Sequence, residues 1–300
     1  MPDAPILDPR GMTLVSRLEL VARHAVEGFL AGRHPSPYHG ASVEYAEHRP
    51  YTLGDEIRNI DWKVLAKTDK TYIKLFEDQT NVRATILLDC SGSMSTGESE
   101  GDKLTKYQYG CRIAAALSYL LLGQNDAVGL AIYDRGVRTY LPARGTGSHF
   151  RLMLNHMAQA RPGGESDLTA VLADLAPRLK RRGLIILISD LLDEPQRFAK
   201  GLGRLVFDRH DVLCFQVLDE AELTFPFDGP VRFRDPETGA QTVANPRHAR
   251  KLYLDQLHQY LDTCRRVCLE RNISYEQVST KTPYDRMLSA CLEKRRMLTR

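Results

Sequence analysis

From residue 82 onward, short apolar runs of strand length alternate with longer stretches of helical period, and this alternation constrains the fold more than any other feature. The strand-like runs are Val82 to Leu88, Ala127 to Tyr133, Leu184 to Ser189, Val212 to Leu218 and Ile273 to Val278. Consecutive apolar residues, rather than every second one, mean strands buried on both faces. Between them, Lys103 to Gly123, Ser148 to Ala160, Leu168 to Lys180, Gln196 to Asp208, Arg247 to Glu270 and Tyr284 to Leu298 read as helices. The pattern predicts an α/β fold, a mostly parallel sheet with helices on both faces. Val137 to Leu141 reads as an edge strand after a turn at Asp134-Arg135-Gly136. Asp219 to Asn245, with a turn at Pro236-Glu237-Thr238-Gly239, reads as a peripheral loop or hairpin.

Ahead of this block, Thr13 to Leu30 places Leu14, Leu18, Val21, Ala25 and Phe29 at helical spacing. Arg33 to Thr80 is rich in glycine, proline and tyrosine, with a strand-like alternation from Thr71 to Glu77. The expected organisation is an N-terminal helix (1–36), a small β-rich arm (37–81) and the α/β domain (82–300). Within the arm, Arg49, Tyr51, Asp55, Arg58, Asp61 and Trp62 crowd into fourteen residues. Guanidinium–carboxylate pairs of Arg49 and Arg58 with Asp55 and Asp61 would pin an irregular segment, with Trp62 plugging a junction. The same residue types also make a docking surface for another protein.

Composition excludes several partner classes. With 41 basic and 38 acidic side chains, a net charge of +3 gives no footprint for nucleic acid or an anionic membrane. No apolar run approaches the ~20 residues needed to span a bilayer. Met1 to Arg10 lacks a signal-peptide core, so a cytoplasmic protein is expected. The six cysteines have no Cys-x-x-Cys pair, which fits reduced, mostly buried thiols.

Three strand-end or helix-start loops carry oxygen ligands. Asp89-Cys90-Ser91-Gly92-Ser93 follows the first strand, Gly163-Gly164-Glu165-Ser166-Asp167 opens a helix, and Ser189-Asp190 ends the Leu184 strand. Singly, each is ordinary turn or N-cap chemistry. On the same side of a parallel sheet they would furnish a ring of hard oxygens, which suits magnesium best and manganese next.

These three segments resemble the metal-ion-dependent adhesion site (MIDAS) of von Willebrand factor A-like (vWA) domains. The resemblance implies a Rossmann-like vWA fold with Asp89, Ser91, Ser93, Ser166 and Asp190 as direct or water-mediated metal ligands. Asp167 and Asp193 are candidates for supporting the shell, and Ser166 stands where the family usually has threonine. Gly40-Ala41-Ser42-Val43-Glu44-Tyr45, Arg49, Tyr51, Gly54-Asp55, Arg58, Ile60-Asp61-Trp62-Lys63 and Phe76-Glu77 resemble the signature of the bacterial domain-of-unknown-function family fifty-eight. That resemblance implies a partnership with a MoxR-type AAA+ ATPase. The expected role is a non-enzymatic adaptor that holds an acidic residue of a client protein through Mg²⁺ or Mn²⁺.

An enzymatic alternative is a Mg²⁺-dependent phosphatase in which Asp89 attacks phosphorus. Such enzymes place an acid–base carboxylate two residues later, where this chain has Ser91. A metal-free scaffold is the third class. The adhesion-type reading requires Ser166 and Asp190 to converge on Asp89, and it collapses if they lie far apart or if an internal lysine plugs the pocket.

Overall fold

The computed structural model describes residues 15–16, 18–20, 22, 44–52, 60–68, 70–77, 82–97, 104–229 and 231–298. The chain divides into two units, residues 82–300 together with 1–31, and residues 32–81.

In the larger unit, strands β3 (Arg83–Asp89), β4 (Ala127–Tyr133), β5 (Val137–Arg144), β6 (Leu184–Ser189), β7 (Asp211–Leu218) and β10 (Ser274–Ser279) form one sheet in the order β10-β7-β6-β3-β4-β5. All neighbours are parallel except the edge strand β5, which returns antiparallel on β4. Ile86 lies opposite Leu130 on one side and Ile186 on the other, so the central strands offer apolar side chains to both faces. This is the α/β arrangement expected from the sequence, a mostly parallel sheet with one antiparallel edge strand.

The chain runs from β3 outward to β4 and β5, then crosses back to place β6 on the other flank of β3. The direction of winding therefore reverses between β3 and β6. Crevices at the carboxyl ends of such strands are where open α/β sheets bind ligands. Asp89 ends β3 and Asp190 follows β6, one on each side of that crevice.

Two helical layers seal the sheet. Helices α2 (Lys106–Gly123), α3 (Gly147–Gln159) and α8 (Tyr284–Leu298) cover the face that carries Ile86, Leu88, Ile132 and Ile188. Val15, Leu18 and Ala22, from the helical segment near the N-terminus, pack into the same cluster. Helices α4 (Leu168–Leu175), α5 (Pro195–Phe207) and α7 (Pro246–Leu269) cover the face of Leu87, Leu187 and Cys214. The six cysteines are all free and buried, Cys264 and Cys268 within this second cluster.

Local chemistry sets the helix boundaries. Thr105 and Gln108 form a reciprocal capping box at the start of α2. The helix expected over Leu168 to Lys180 ends at Leu175 and tightens into a 3-10 turn at Ala176–Arg178, because Pro177 has no amide hydrogen for the ladder. The region from Asp219 to Asn245 holds a short helix, α6 (Glu220–Thr224), and a hairpin of β8 (Val231–Arg234) and β9 (Gln241–Ala244).

In the smaller unit, β1 (Glu44–Pro50) pairs antiparallel with β2 (Tyr72–Glu77), Arg49 opposite Ile73, with an irregularity between Tyr45 and Glu47. Tyr51 continues the ladder by donating its amide to the Thr71 carbonyl at 3.0 Å. Helix α1 (Trp62–Thr68) starts behind Asp61, whose carboxylate accepts from the Val64 amide at 3.3 Å. Asp61 is buried, but Trp62 is 59% exposed, which corrects the expectation that it plugs a junction. The pairing proposed for Arg49 and Arg58 with Asp55 and Asp61 involves residues 53–59 and the Arg49 side chain, which lie outside the described residues.

Leu187 is fully buried at the centre of the second cluster. Leu187→Ala is expected to lower unfolding free energy by about 2–5 kcal/mol, read as a shifted denaturant midpoint with unchanged slope.

Candidate functional site

The loop after β3 is shaped by its own aspartate. Asp89 Oδ1 accepts from the Ser91 amide at 2.9 Å, an Asx-type turn that points the Ser91 and Ser93 hydroxyls together at 3.1 Å. Asp89 Oδ2 accepts from the Ser189 hydroxyl at 2.6 Å, and Ser189 Oγ in turn accepts from the Leu191 amide at 2.9 Å. Asp89, Ser91, Ser93 and Asp190 are all buried. Leu191 follows Asp190 with φ of 57°, a left-handed conformation that costs a leucine about 1–3 kcal/mol. The Tyr260 hydroxyl holds that turn, with the Leu191 and Asp193 carbonyls both within reach of its single proton.

The second segment is clamped against the first through its backbone. The Gly163 amide donates to the Cys90 carbonyl at 3.0 Å, and the Gly92 amide donates to the Gly164 carbonyl at 2.8 Å. Gly164 sits at φ +80°, where a side chain would be strained. Arg138 completes the clamp, donating to the Arg161 carbonyl at 2.7 Å, the Gly163 carbonyl at 2.6 Å and Asp134 at 2.6 Å.

Ser166 lies on this segment, its amide donating to Glu237 Oε2 at 3.4 Å. Asp167 is the N-cap of α4, accepting from the Ala170 amide at 3.0 Å, with Arg197 at 3.8 Å. Asp193 accepts from the Glu194 amide at 2.7 Å. Both of these carboxylates therefore serve their own turns, whereas Asp89 holds the Ser91 amide and the Ser91 and Ser93 hydroxyls meet each other.

Two residues absent from the sequence expectation share the site. The Lys106 ammonium, fully buried at the first turn of α2, lies 2.8 Å from Asp190 Oδ2 and 2.6 Å from Glu222 Oε1. A cation at a helix N-terminus opposes the macrodipole, so these two carboxylates must offset both that and the loss of water. Burial pulls the Lys106 pKa down, but Asp190 and Glu222 outweigh it and hold it above the ordinary lysine value. Glu222 is fixed by accepting from the Asp219 amide at 2.8 Å in the capping box of α6. A signal for Lys106 was present, since it shares a helical row with Gly110, Ile113 and Leu117 and so interrupts an apolar face.

An internal lysine is the counter-indication to a metal site, and charge counting decides how far it goes. Asp89, Asp190 and Glu222 against Lys106 leave a formal charge of −2 in a largely buried cluster. Burial, then the neighbouring Asp190 charge, push Asp89 up to about 7, although hydrogen bonds from Ser189 and Ser91 oppose the shift. The Tyr133 hydroxyl, buried beside Asp89 and Ser189, has no hydrogen bond of good geometry among the described residues. Hard oxygens and a net negative charge that Lys106 does not cancel fit one Mg²⁺ or Mn²⁺ with bound water. No cluster of three or more His, Cys, Asp or Glu suited to a metal occurs among the described residues, so serine hydroxyls and water must complete any shell.

Removing the Lys106 charge strands two carboxylates. Lys106→Met is expected to cost about 3–5 kcal/mol by denaturant unfolding, and adding Asp190→Asn should recover part of it. Asp89 binds its proton more tightly folded than unfolded, so its contribution is complete below about pH 4 and is lost as pH rises through about 7. With chelator present, the melting temperature of the wild type should fall over that range more steeply than that of Asp89→Asn.

Comparison with known proteins places the chain. Uncharacterized protein Mb1516 of Mycobacterium bovis and uncharacterized protein Rv1480 of Mycobacterium tuberculosis are each 30% identical to it over 235 residues, 77% of this chain and 73% of theirs. Among solved structures, the conserved hypothetical protein BatB of Bacteroides thetaiotaomicron aligns with TM-score 0.47 at 18% identity, over 71% of this chain and 98% of that one. An aerotolerance-related membrane protein of Bacteroides fragilis aligns with TM-score 0.46 at 18% identity, over 71% and 97%. The profile described as "Protein of unknown function DUF58" matches residues 47–259, and the chain belongs to that family.

Proposed function

We propose that this protein is a non-enzymatic, metal-dependent protein-binding adaptor whose site is built on Asp89, Ser91, Ser93 and Asp190, with Ser166 on the adjoining loop. The observation that supports it most is the uncompensated charge of the buried carboxylate cluster beside two paired hydroxyls. Mg²⁺ bound there would supply an electrophilic centre that keeps water wherever the protein leaves a gap. Asp89 and Asp190 would hold it electrostatically, Ser91 and Ser93 would fix its direction, and a client's Asp or Glu would displace a water. Family membership brings a MoxR-type AAA+ ATPase as the proposed partner. The proposed setting is the cytoplasm, where six free thiols stay reduced; no helix of the described residues is long and apolar enough to cross a membrane.

Trp62, exposed on α1 in a short two-stranded unit, supports the arm as the second docking element. The arm's Arg49, Tyr51, Asp55, Arg58 and Asp61 belong to the same proposal.

One observation favours a metal-free scaffold instead, namely that Lys106 already gives Asp190 a counter-charge. Equilibrium dialysis with Mg²⁺ or Mn²⁺ separates the two. The adaptor reading expects about one ion per chain in the wild type, strong loss in Asp89→Ala, and parallel loss of ATPase capture. Equal retention of metal and partner by Asp89→Ala would remove the reading, and phosphatase turnover that disappears in Asp89→Asn would replace it with catalysis.

A further inference from the structure

The turn of the β8–β9 hairpin lies directly over the candidate metal loop. A Cβ placed on Gly92 would meet the Pro236 carbonyl oxygen at 2.4 Å and Glu237 Cα at 3.2 Å. Gly92 has φ −60° and ψ −38°, which any residue adopts, so space and not backbone conformation demands glycine here. The Glu237 carboxylate reaches the second ligand segment, accepting from the Ser166 amide at 3.4 Å. One acidic side chain of this chain therefore spans from the Asp89-x-Ser91-x-Ser93 loop to the Ser166 loop.

The hairpin is built to present that side chain. Asp235 organises the tip, accepting from the Glu237 amide at 2.9 Å, while its own amide donates to the Ala240 carbonyl at 2.8 Å. Gly239 closes the turn at φ +75°. Its base is held by Phe233, stacked on Phe225 at 5.6 Å and edge-on to Phe227 at 5.3 Å. The outer strand is open, with Val243 68% exposed. A two-stranded hairpin is marginal alone, so attachment at its aromatic base and its tip decides whether it stays down.

We infer that Glu237 is an internal ligand of the metal site, holding the position that a client's carboxylate takes, so that the hairpin must lift before a client binds. This inference rests on the metal reading proposed above. It assigns Asp235 to Gly239 a positioning role and makes the hairpin the competitor of the partner's acidic residue. The chemistry is simple exchange of one carboxylate for another on a hard cation, with no bond made or broken elsewhere.

The test uses the full chain and Mn²⁺, followed by electron paramagnetic resonance, with hydrogen exchange read at residues 235–239. Glu237→Gln keeps shape and removes the charge. It should weaken Mn²⁺ binding about tenfold and abolish the slowing of hairpin exchange that Mn²⁺ causes in the wild type. Gly92→Ala tests the same contact from beneath. Its methyl should displace the tip, speed exchange at residues 235–239 without metal, and weaken Mn²⁺ binding similarly. Wild-type affinity in both variants, with Mn²⁺ leaving hairpin exchange unchanged, would overturn the inference while sparing the metal site. Absence of Mn²⁺ binding by the wild type at millimolar concentration would remove the metal reading and this inference together.

Discussion

Two carboxylates buried at adjacent strand ends need positive charge, and the chemistry of the crevice follows from that need. Asp89 and Asp190 arrive at the crevice because the sheet reverses its winding between β3 and β6. Each ionised carboxylate taken out of water costs several kcal/mol, even after relaxation. Lys106 meets part of that demand, but it divides its charge between Asp190 and Glu222. Asp89 is left with hydroxyl and amide donors, which do not outweigh its burial and the neighbouring Asp190 charge, so its pKa stays raised. This arrangement is what supports the proposed cation site.

The supporting parts are directed to the loops and not to the ions. Arg138 ties the Gly163 segment to Asp134, so the second loop is held by backbone contacts whatever occupies the site. Tyr260 from α7 secures the strained turn after Asp190. Tyr275 and Gln216 form a buried pair beneath it, and the Gln216 side chain donates to the Asp190 carbonyl at 2.8 Å. Pre-formed loops of this kind reduce the ordering that ligand binding would otherwise require. The hairpin differs from them, since it touches the site through a flexible glutamate at the end of a short, open ribbon.

The α/β sheet was legible because its central strands are continuous apolar runs, a pattern few other folds need. The Asp89 and Ser189-Asp190 segments were legible for a related reason: polar residues that end a buried strand must sit at the sheet's rim. Lys106 escaped because a single lysine among helix-forming residues looks like a solvated position until its row, Gly110, Ile113 and Leu117, is followed inward. Glu222 and Glu237 escaped for a different cause. They come from a proline-rich stretch whose local signals specify turns but not where the turns land, and long-range placement of that kind is set by tertiary packing. Trp62 was open to two readings, a plug or a docking residue, and its exposure goes against the first.

The central claim is that the Asp89 crevice is short of one divalent cation despite Lys106. Anomalous diffraction from crystals grown with Mn²⁺ tests it most directly. A single strong peak bounded by Asp89, Ser91, Ser93 and Asp190 is the predicted result. Crystals in which Mn²⁺ binds elsewhere or nowhere, with Lys106 still seated on Asp190, would contradict the account and leave the lysine as the site's whole counter-charge.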